Sequence, residues 1–175
     1  MSKALLILPQ NGYQDSEFEK VRKMLVDGGC SIVIASSDGG TCLGKFGGSV
    51  NGAVPMAQVK VDDFDLIAFI GGPGAEAYVR HPEALRLAHE AALANMPLGA
   101  ICIAPLILAK ARVLGGRRAT VWDDGKGTQQ GILEQAGAIF TGDSVTRDGM
   151  IVTGNGPEVS AEFGRTLLEV MRVGK

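Results

Sequence analysis

Four short, almost wholly apolar runs punctuate the chain, at residues 4–8, 31–35, 65–70 and 98–101. None shows the in/out alternation of a strand with one wet face, so each predicts a strand buried on both faces. The stretches between them change to a helical period. Ser16 and Glu19 fit a capping box that opens a helix ending at Gly28 and Gly29. Within it Phe18, Val21, Met24 and Leu25 form an inward stripe, and Glu19, Lys20, Arg22 and Lys23 face water. Further helices are expected over 82–94, 103–111 and 131–136. A last amphipathic one starts at Asn155-Gly156-Pro157 and carries Phe163, Leu167, Leu168 and Met171. Residues 119–122 predict another strand, and Asp148-Gly149 marks the turn of a hairpin. Residues 36–60, rich in Gly and Ser with short alternating pieces, predict an irregular excursion or small hairpin outside the main sheet. Strands that alternate with helices imply an α/β fold whose mainly parallel sheet is covered on both faces.

Composition adds bounds to this picture. With 175 residues, 46% of them hydrophobic and 21% charged, the chain predicts one domain over 1–175 with ample core. A net charge of -2 gives no long-range pull toward nucleic acid or an anionic membrane, and Arg117-Arg118 is too small a cluster to change that. The apolar runs are far shorter than a membrane span, and the chain enters its first strand after Lys3 without a signal-peptide layout. The expected compartment is the cytoplasm. Three cysteines without metal-type spacing, Cys30, Cys42 and Cys102, indicate neither a disulfide framework nor a zinc site. The 25 glycines are scattered without period, which argues against a repeat.

Candidate chemistry centres on residues 97–104. Ala100-Ile101-Cys102-Ile103-Ala104 places a nucleophile at a strand-to-helix turn with small residues two positions to either side, the layout of a nucleophile elbow. The helix end there is expected to lower the thiol pKa. The pentapeptide equally fits a small buried hydrophobe in a parallel strand. Glu17 is a second anomaly, lying one turn before Val21 on the apolar stripe. It reads either as a first-turn acid favoured by the helix dipole or as a buried acid aimed at the sheet's carboxyl edge. The Gly71-Gly72-Pro73-Gly74 turn follows the third strand. It lacks the P-loop Lys and the dinucleotide spacing, yet permits close approach of a backbone N–H to a reacting atom. In open parallel sheets ligands bind beyond the carboxyl ends of the strands, where these three features converge. Cys30 reads as core, Cys42 as a loop cysteine with some exposure, His81 as a turn residue and His89 as a surface position.

Gln14-Asp15-Ser16-Glu17, Gly71-Gly72-Pro73, Ala100 to Ala104 and Gly154-Asn155-Gly156-Pro157, in this order, resemble the DJ-1/PfpI superfamily over essentially the whole length. The resemblance implies a flavodoxin-like three-layer sandwich that usually dimerises or forms a higher homo-oligomer. It implies Cys102 as nucleophile, Glu17 as the carboxylic acid bonded to its sulfur, and an oxyanion hole made by the N–H groups of Gly72 and Ile103. Gly71, Trp122, Asp123 and Asn155 are expected around the pocket. Lys45, Gly47 and Gly48 look like the excursion of the PfpI branch, whereas the C-terminal part looks closer to the DJ-1 branch. Two departures bear on activity. Ile103 stands where PfpI-type peptidases carry His after the nucleophile, which disfavours proteolysis, and Trp122 stands where the DJ-1 branch brings a His to the cysteine. Asp123 or Asp124 is a candidate base nearby, and turn or helix-cap roles explain that pair as well. The implied activity is cofactor-independent cysteine chemistry on a small reactive carbonyl, of the glyoxalase or deglycase kind. The alternatives are a redox-responsive protein sensing oxidation at Cys102 and, ranked lower, an isocyanide hydratase-like enzyme. No metal or other cofactor is implied, and the expected partner is a small-molecule substrate.

Overall fold

The apolar runs pair into a nine-stranded sheet in a computed structural model that describes residues 1–174. Lys175, the end of the expected domain, lies outside the described residues. The parallel core consists of β1 (Ser2–Ile7), β3 (Cys30–Ser36), β6 (Leu66–Phe69), β7 (Leu98–Ile101) and β11 (Ile151–Gly154). They lie side by side as β11, β7, β6, β1, β3, with Leu5 of β1 level with Val33 on one side and Ile67 on the other. This is the flavodoxin-like order. The chain winds outward from β1 in both directions, which leaves a crevice at the carboxyl ends of β1 and β6.

Helices α1 (Asp15–Asp27) and α5 (Ser160–Val173) cover one face. They approach so closely that a Cβ on Gly164 would meet the Met24 side chain at 2.8 Å. Helices α2 (Pro82–Leu93) and α3 (Pro105–Lys110), with the 3-10 turn Pro73–Arg80, cover the other. The sheet core is fully excluded from water at Leu5, Leu6, Ile7, Ile67, Ala68 and Phe69, which is why those runs carry no polar alternation. The Asp148-Gly149 turn joins β10 (Val145–Asp148) to β11 as expected, with Gly149 at φ 59°. No helix among the described residues is long and apolar enough to cross a membrane.

Several local expectations are corrected. The 36–60 region does not leave the sheet. Its strands β4 (Gly40–Gly44) and β5 (Ser49–Pro55) extend it, because β5 pairs in parallel with β3, and a short strand β2 (Asn11–Tyr13) closes the edge. Cys42 is therefore not exposed but fully buried under this extension. The capping box is not formed. Helix α1 begins at Asp15 behind Gln14, which makes no side-chain cap bond. Residues 119–122 do not make a strand of that extent. Only β8 (Arg118–Ala119) does, pairing with β9 (Ile139–Phe140) in a separate two-stranded sheet. Helix α4 (Thr128–Gln135) starts three residues before the expected position, and α5 starts at Ser160 after the 3-10 turn Pro157–Val159.

Candidate active site

Strand β7 stops at Ile101 and α3 starts at Pro105, so the chain reverses within three residues. Cys102 takes the strain of that turn at φ 63°, a left-handed conformation costly for a side chain with a Cβ. The conformation is held from both sides, since Cys102 N–H donates to the Gly154 carbonyl (2.9 Å) and Trp122 N–H donates to the Cys102 carbonyl (2.9 Å). Ala100 and Ala104 are fully buried at the flanks, as small residues at an elbow must be. The turn delivers the sulfur to the floor of a cleft of about 320 Å³, with Cys102 itself only 8% exposed.

Glu17 reaches the same point from the first turn of α1. Its side chain is 0% exposed, and Oε2 accepts a hydrogen bond from the Gly71 N–H at 2.9 Å. The other oxygen, Oε1, is buried without a hydrogen-bond partner, and the carboxyl as a whole interacts with the Cys102 thiol. Gly71 shows how tightly these parts meet. A Cβ there would lie 2.5 Å from Cys102 Cβ and 2.8 Å from Glu17 Oε2. Gly71 thus sits behind the acid and the thiol, not on the cleft wall. The N–H groups of Gly72 and Ile103 both face the sulfur. Gly72 does so at φ 109°, pressed against the backbone of residues 12–14.

Burial pushes Glu17 up to about 7, against the opposing pull of the Gly71 N–H and the thiol. Burial and then the Glu17 charge push the Cys102 thiol up to about 12, more than the Gly72 and Ile103 N–H groups draw it down. The lowered thiol pKa expected from a helix end is thus corrected. Helix α3 is six residues long and begins three residues past the sulfur, too short and too distant to offset burial beside a carboxylate. Two adjacent groups that both resist ionisation retain a proton between them at neutral pH. A stability effect follows with a definite sign. An acid whose folded pKa is raised from 4.5 to about 7 stabilises fully below the lower value and loses that contribution as pH rises to the upper one. Between about pH 4 and about pH 8 the wild type should lose about 3 kcal/mol relative to Glu17→Gln. Urea denaturation of both proteins across that window measures the difference, and parallel profiles would show that Glu17 ionises normally.

The cleft walls come from elements distant in sequence. Trp122, 40% exposed, walls one side, together with Gln129 at the start of α4 and Pro157. Gln14, Pro73 and Glu76 line it from the turns after β2 and β6, and Lys45 from the β4–β5 turn. Asp123 and Asn155 are not in this cleft; they line a neighbouring depression that shares Trp122 with it. Asp123 accepts hydrogen bonds from the N–H groups of Gly125, Gly127, Gln129 and Gln130, which hold its carboxyl below the ordinary range, Gln130 foremost. It caps the entry to α4, and the candidate base at this position is withdrawn. Asp124 is committed likewise to Lys126 and Thr128. Gln14, Glu76 and Gln129 were not foreseen as cleft residues. Gln14 was legible only as a neighbour of Glu17 in its motif, while nothing in the local sequence marks Gln129. Among the described residues no group of three His, Cys, Asp and Glu side chains comes together that could hold a metal ion.

The model of the DJ-1/PfpI family matches residues 2–170. The chain belongs to the DJ-1/PfpI family. Among DJ-1/PfpI relatives, Deglycase PfpI of Pyrococcus furiosus is 32% identical over 116 residues, covering 66% of this chain and 70% of its own. The glutathione-independent glyoxalase DJR-1.2 of Caenorhabditis elegans is 24% identical over 168 residues, covering 96% and 88%. The crystal structure of a ThiJ/PfpI domain protein from Brachyspira murdochii superposes with a TM-score of 0.92 at 24% identity, covering 98% of this chain and 96% of that one. That last likeness speaks to the DJ-1/PfpI fold, in agreement with the strand order above.

Proposed function

We propose that the protein is a cofactor-independent cysteine enzyme that converts small reactive carbonyls, with methylglyoxal to lactate as the representative reaction. The observation that carries this reading is the buried Glu17–Cys102 pair beneath two convergent N–H groups in an open cleft. Relatives named as a deglycase and a glyoxalase support it. In the reactive form Glu17 holds the proton and Cys102 is the thiolate. Two N–H groups face the sulfur and one faces the carboxylate, and a proton on Oε1 gives that orphaned oxygen a bond to make.

The sulfur adds to the aldehyde carbon, and the carbonyl π pair moves to oxygen. The Gly72 and Ile103 N–H groups stabilise that oxygen while it takes the Glu17 proton, giving a hemithioacetal. The Glu17 carboxylate then removes the hydrogen on the former aldehyde carbon and passes it to the ketone oxygen, giving an enediol. It then carries the proton of the first hydroxyl to the adjacent carbon as that oxygen becomes the thioester carbonyl. The product is a thioester of lactate. Water cleaves it and restores the thiol, so that one ketoaldehyde and one water give one hydroxy acid. The cleft lining contains no imidazole, since the chain's two histidines lie at the start of α2 and within it. Glu17, the acid beside the sulfur, is the proton carrier in this reading.

The absent imidazole also favours a second reading, in which Cys102 is oxidised to a sulfinate held by the Gly72 and Ile103 N–H groups and by protonated Glu17, without turnover. Incubation of the purified protein with methylglyoxal, without added thiol, is expected to yield lactate well above the buffer blank. No lactate, together with a gain of two oxygens under mild peroxide that Cys102→Ala prevents, would replace the enzyme with the redox protein.

A further inference from the structure

The cleft over Cys102 contains one cationic and one anionic side chain, Lys45 and Glu76, and no ion pair joins them among the described residues. Lys45 is exposed, and it is its backbone that is held in place. Its own N–H donates to the Tyr13 carbonyl at 2.8 Å, and the turn that follows is clamped by Asp15, which accepts from the N–H groups of Phe46 (2.8 Å) and Gly48 (2.7 Å). Gly44 and Gly48 are required there, because a Cβ on either would collide with the Asp15 carboxylate. Asp15, the acid closest in this clamp, is thus engaged by backbone amides and not by the lysine. The Lys45 ammonium rests on the Phe46 ring, 5.2 Å from its centroid, a contact that does not neutralise it. Below it, the Glu17–Cys102 pair shares one proton and so contributes one negative charge in its reactive form. That charge and Glu76 both repel anions, so Lys45 is the lining group that attracts one.

We propose that Lys45 selects carbonyl substrates that carry a carboxylate, so that the preferred class is a 2-oxoaldehyde with an acid group at its far end. This rests on the carbonyl reading above for the reaction and on the cleft alone for the charge preference. Such a substrate, for example 4,5-dioxopentanoate, would react by the same steps as methylglyoxal and leave 2-hydroxyglutarate, again with the uptake of one water. Lys45 acts on binding of the anionic tail, while Cys102 and Glu17 act on the aldehyde end.

The test separates charge preference from turnover. Iodoacetate and iodoacetamide are nearly the same size, and in each the Cys102 thiolate displaces iodide into solution, one C–I bond breaking as one S–C bond forms. The iodoacetate-to-iodoacetamide rate ratio, followed by peptide mass at Cys102, is expected to fall about fivefold in Lys45→Gln at low salt. It should stay within about twofold of wild type in Lys45→Arg, rise in Glu76→Gln, and compress toward a common value at about 1 M salt. The ratio of kcat/KM for 4,5-dioxopentanoate over methylglyoxal should follow the same order. An alkylation ratio unaffected by Lys45→Gln would overturn the proposal even if methylglyoxal is turned over. A ratio that falls in a protein that turns over neither ketoaldehyde would uphold the anion preference and remove the carbonyl reaction.

Discussion

Cys102→Ala is expected to lower methylglyoxal turnover by at least about 10³-fold while leaving a folded protein, because it removes the nucleophile of the proposed reaction. The fold should tolerate the change, since alanine meets the same φ of 63° that cysteine does. Cys102→Gly should be equally inactive and more stable than Cys102→Ala by about 1 kcal/mol, because glycine adopts a left-handed φ without strain. Glu17→Gln should cost about 10²- to 10⁴-fold, the range for a positioned proton carrier. Its amide keeps an oxygen for the Gly71 N–H and loses the capacity to move a proton. Steady-state lactate formation and urea denaturation of the three variants provide the check. Activity surviving Cys102→Ala would place the chemistry elsewhere in the molecule. An active Glu17→Gln would reduce the acid to a structural group.

Gly72→Ala should damage stability and rate together. At φ 109° alanine is strained, and its Cβ would lie 2.5 Å from the Gln14 nitrogen and 2.8 Å from the Tyr13 carbonyl carbon. Those neighbours are backbone and cannot rotate away. Strain and overpacking together amount to about 3–5 kcal/mol, a large share of the stability of an ordinary domain. Any relaxation that relieves the clash also swings the Gly72 N–H off the sulfur. Loss of one such donor costs about 10²–10³-fold in rate. Gly47→Ala is the control, with φ 90° and nothing within 4 Å of the added carbon. It should show the strain alone, about 1–3 kcal/mol. Equal denaturation midpoints for the two variants would mean that the contacts around Gly72 yield more easily than backbone should.

The parallel core was legible because burial on both faces erases polar alternation, and residues 4–8 or 66–69 can hardly be read otherwise. Glu17 was legible as a carboxylate on an apolar stripe, and the Cys102 elbow as a nucleophile between small residues. What failed has a common physical origin. Residues 36–60 do allow a small hairpin, and β4–β5 is one; its place in the main sheet is what no pattern marks, because exposed residues are scattered along both strands and no continuous apolar run singles out the strand that pairs with β3. Cys42, in the same segment, was misread for the same reason. Asp123 was ambiguous because a carboxylate that caps a helix and one that serves as a base have identical local sequences. Only the four N–H groups converging on it decide. Lys45 and Gln129 enter the cleft through tertiary placement, which no local spacing encodes.

The chain holds a single tryptophan, Trp122, whose backbone N–H donates to the carbonyl of Cys102 itself and which lines the cleft while 40% exposed. Emission excited at the red edge, where the two tyrosines do not absorb, consequently originates at one place, beside the reactive sulfur. Adduct formation, sulfur oxidation and occupancy by a silent inhibitor each change the polarity around that indole, and all three become observable in real time without a label.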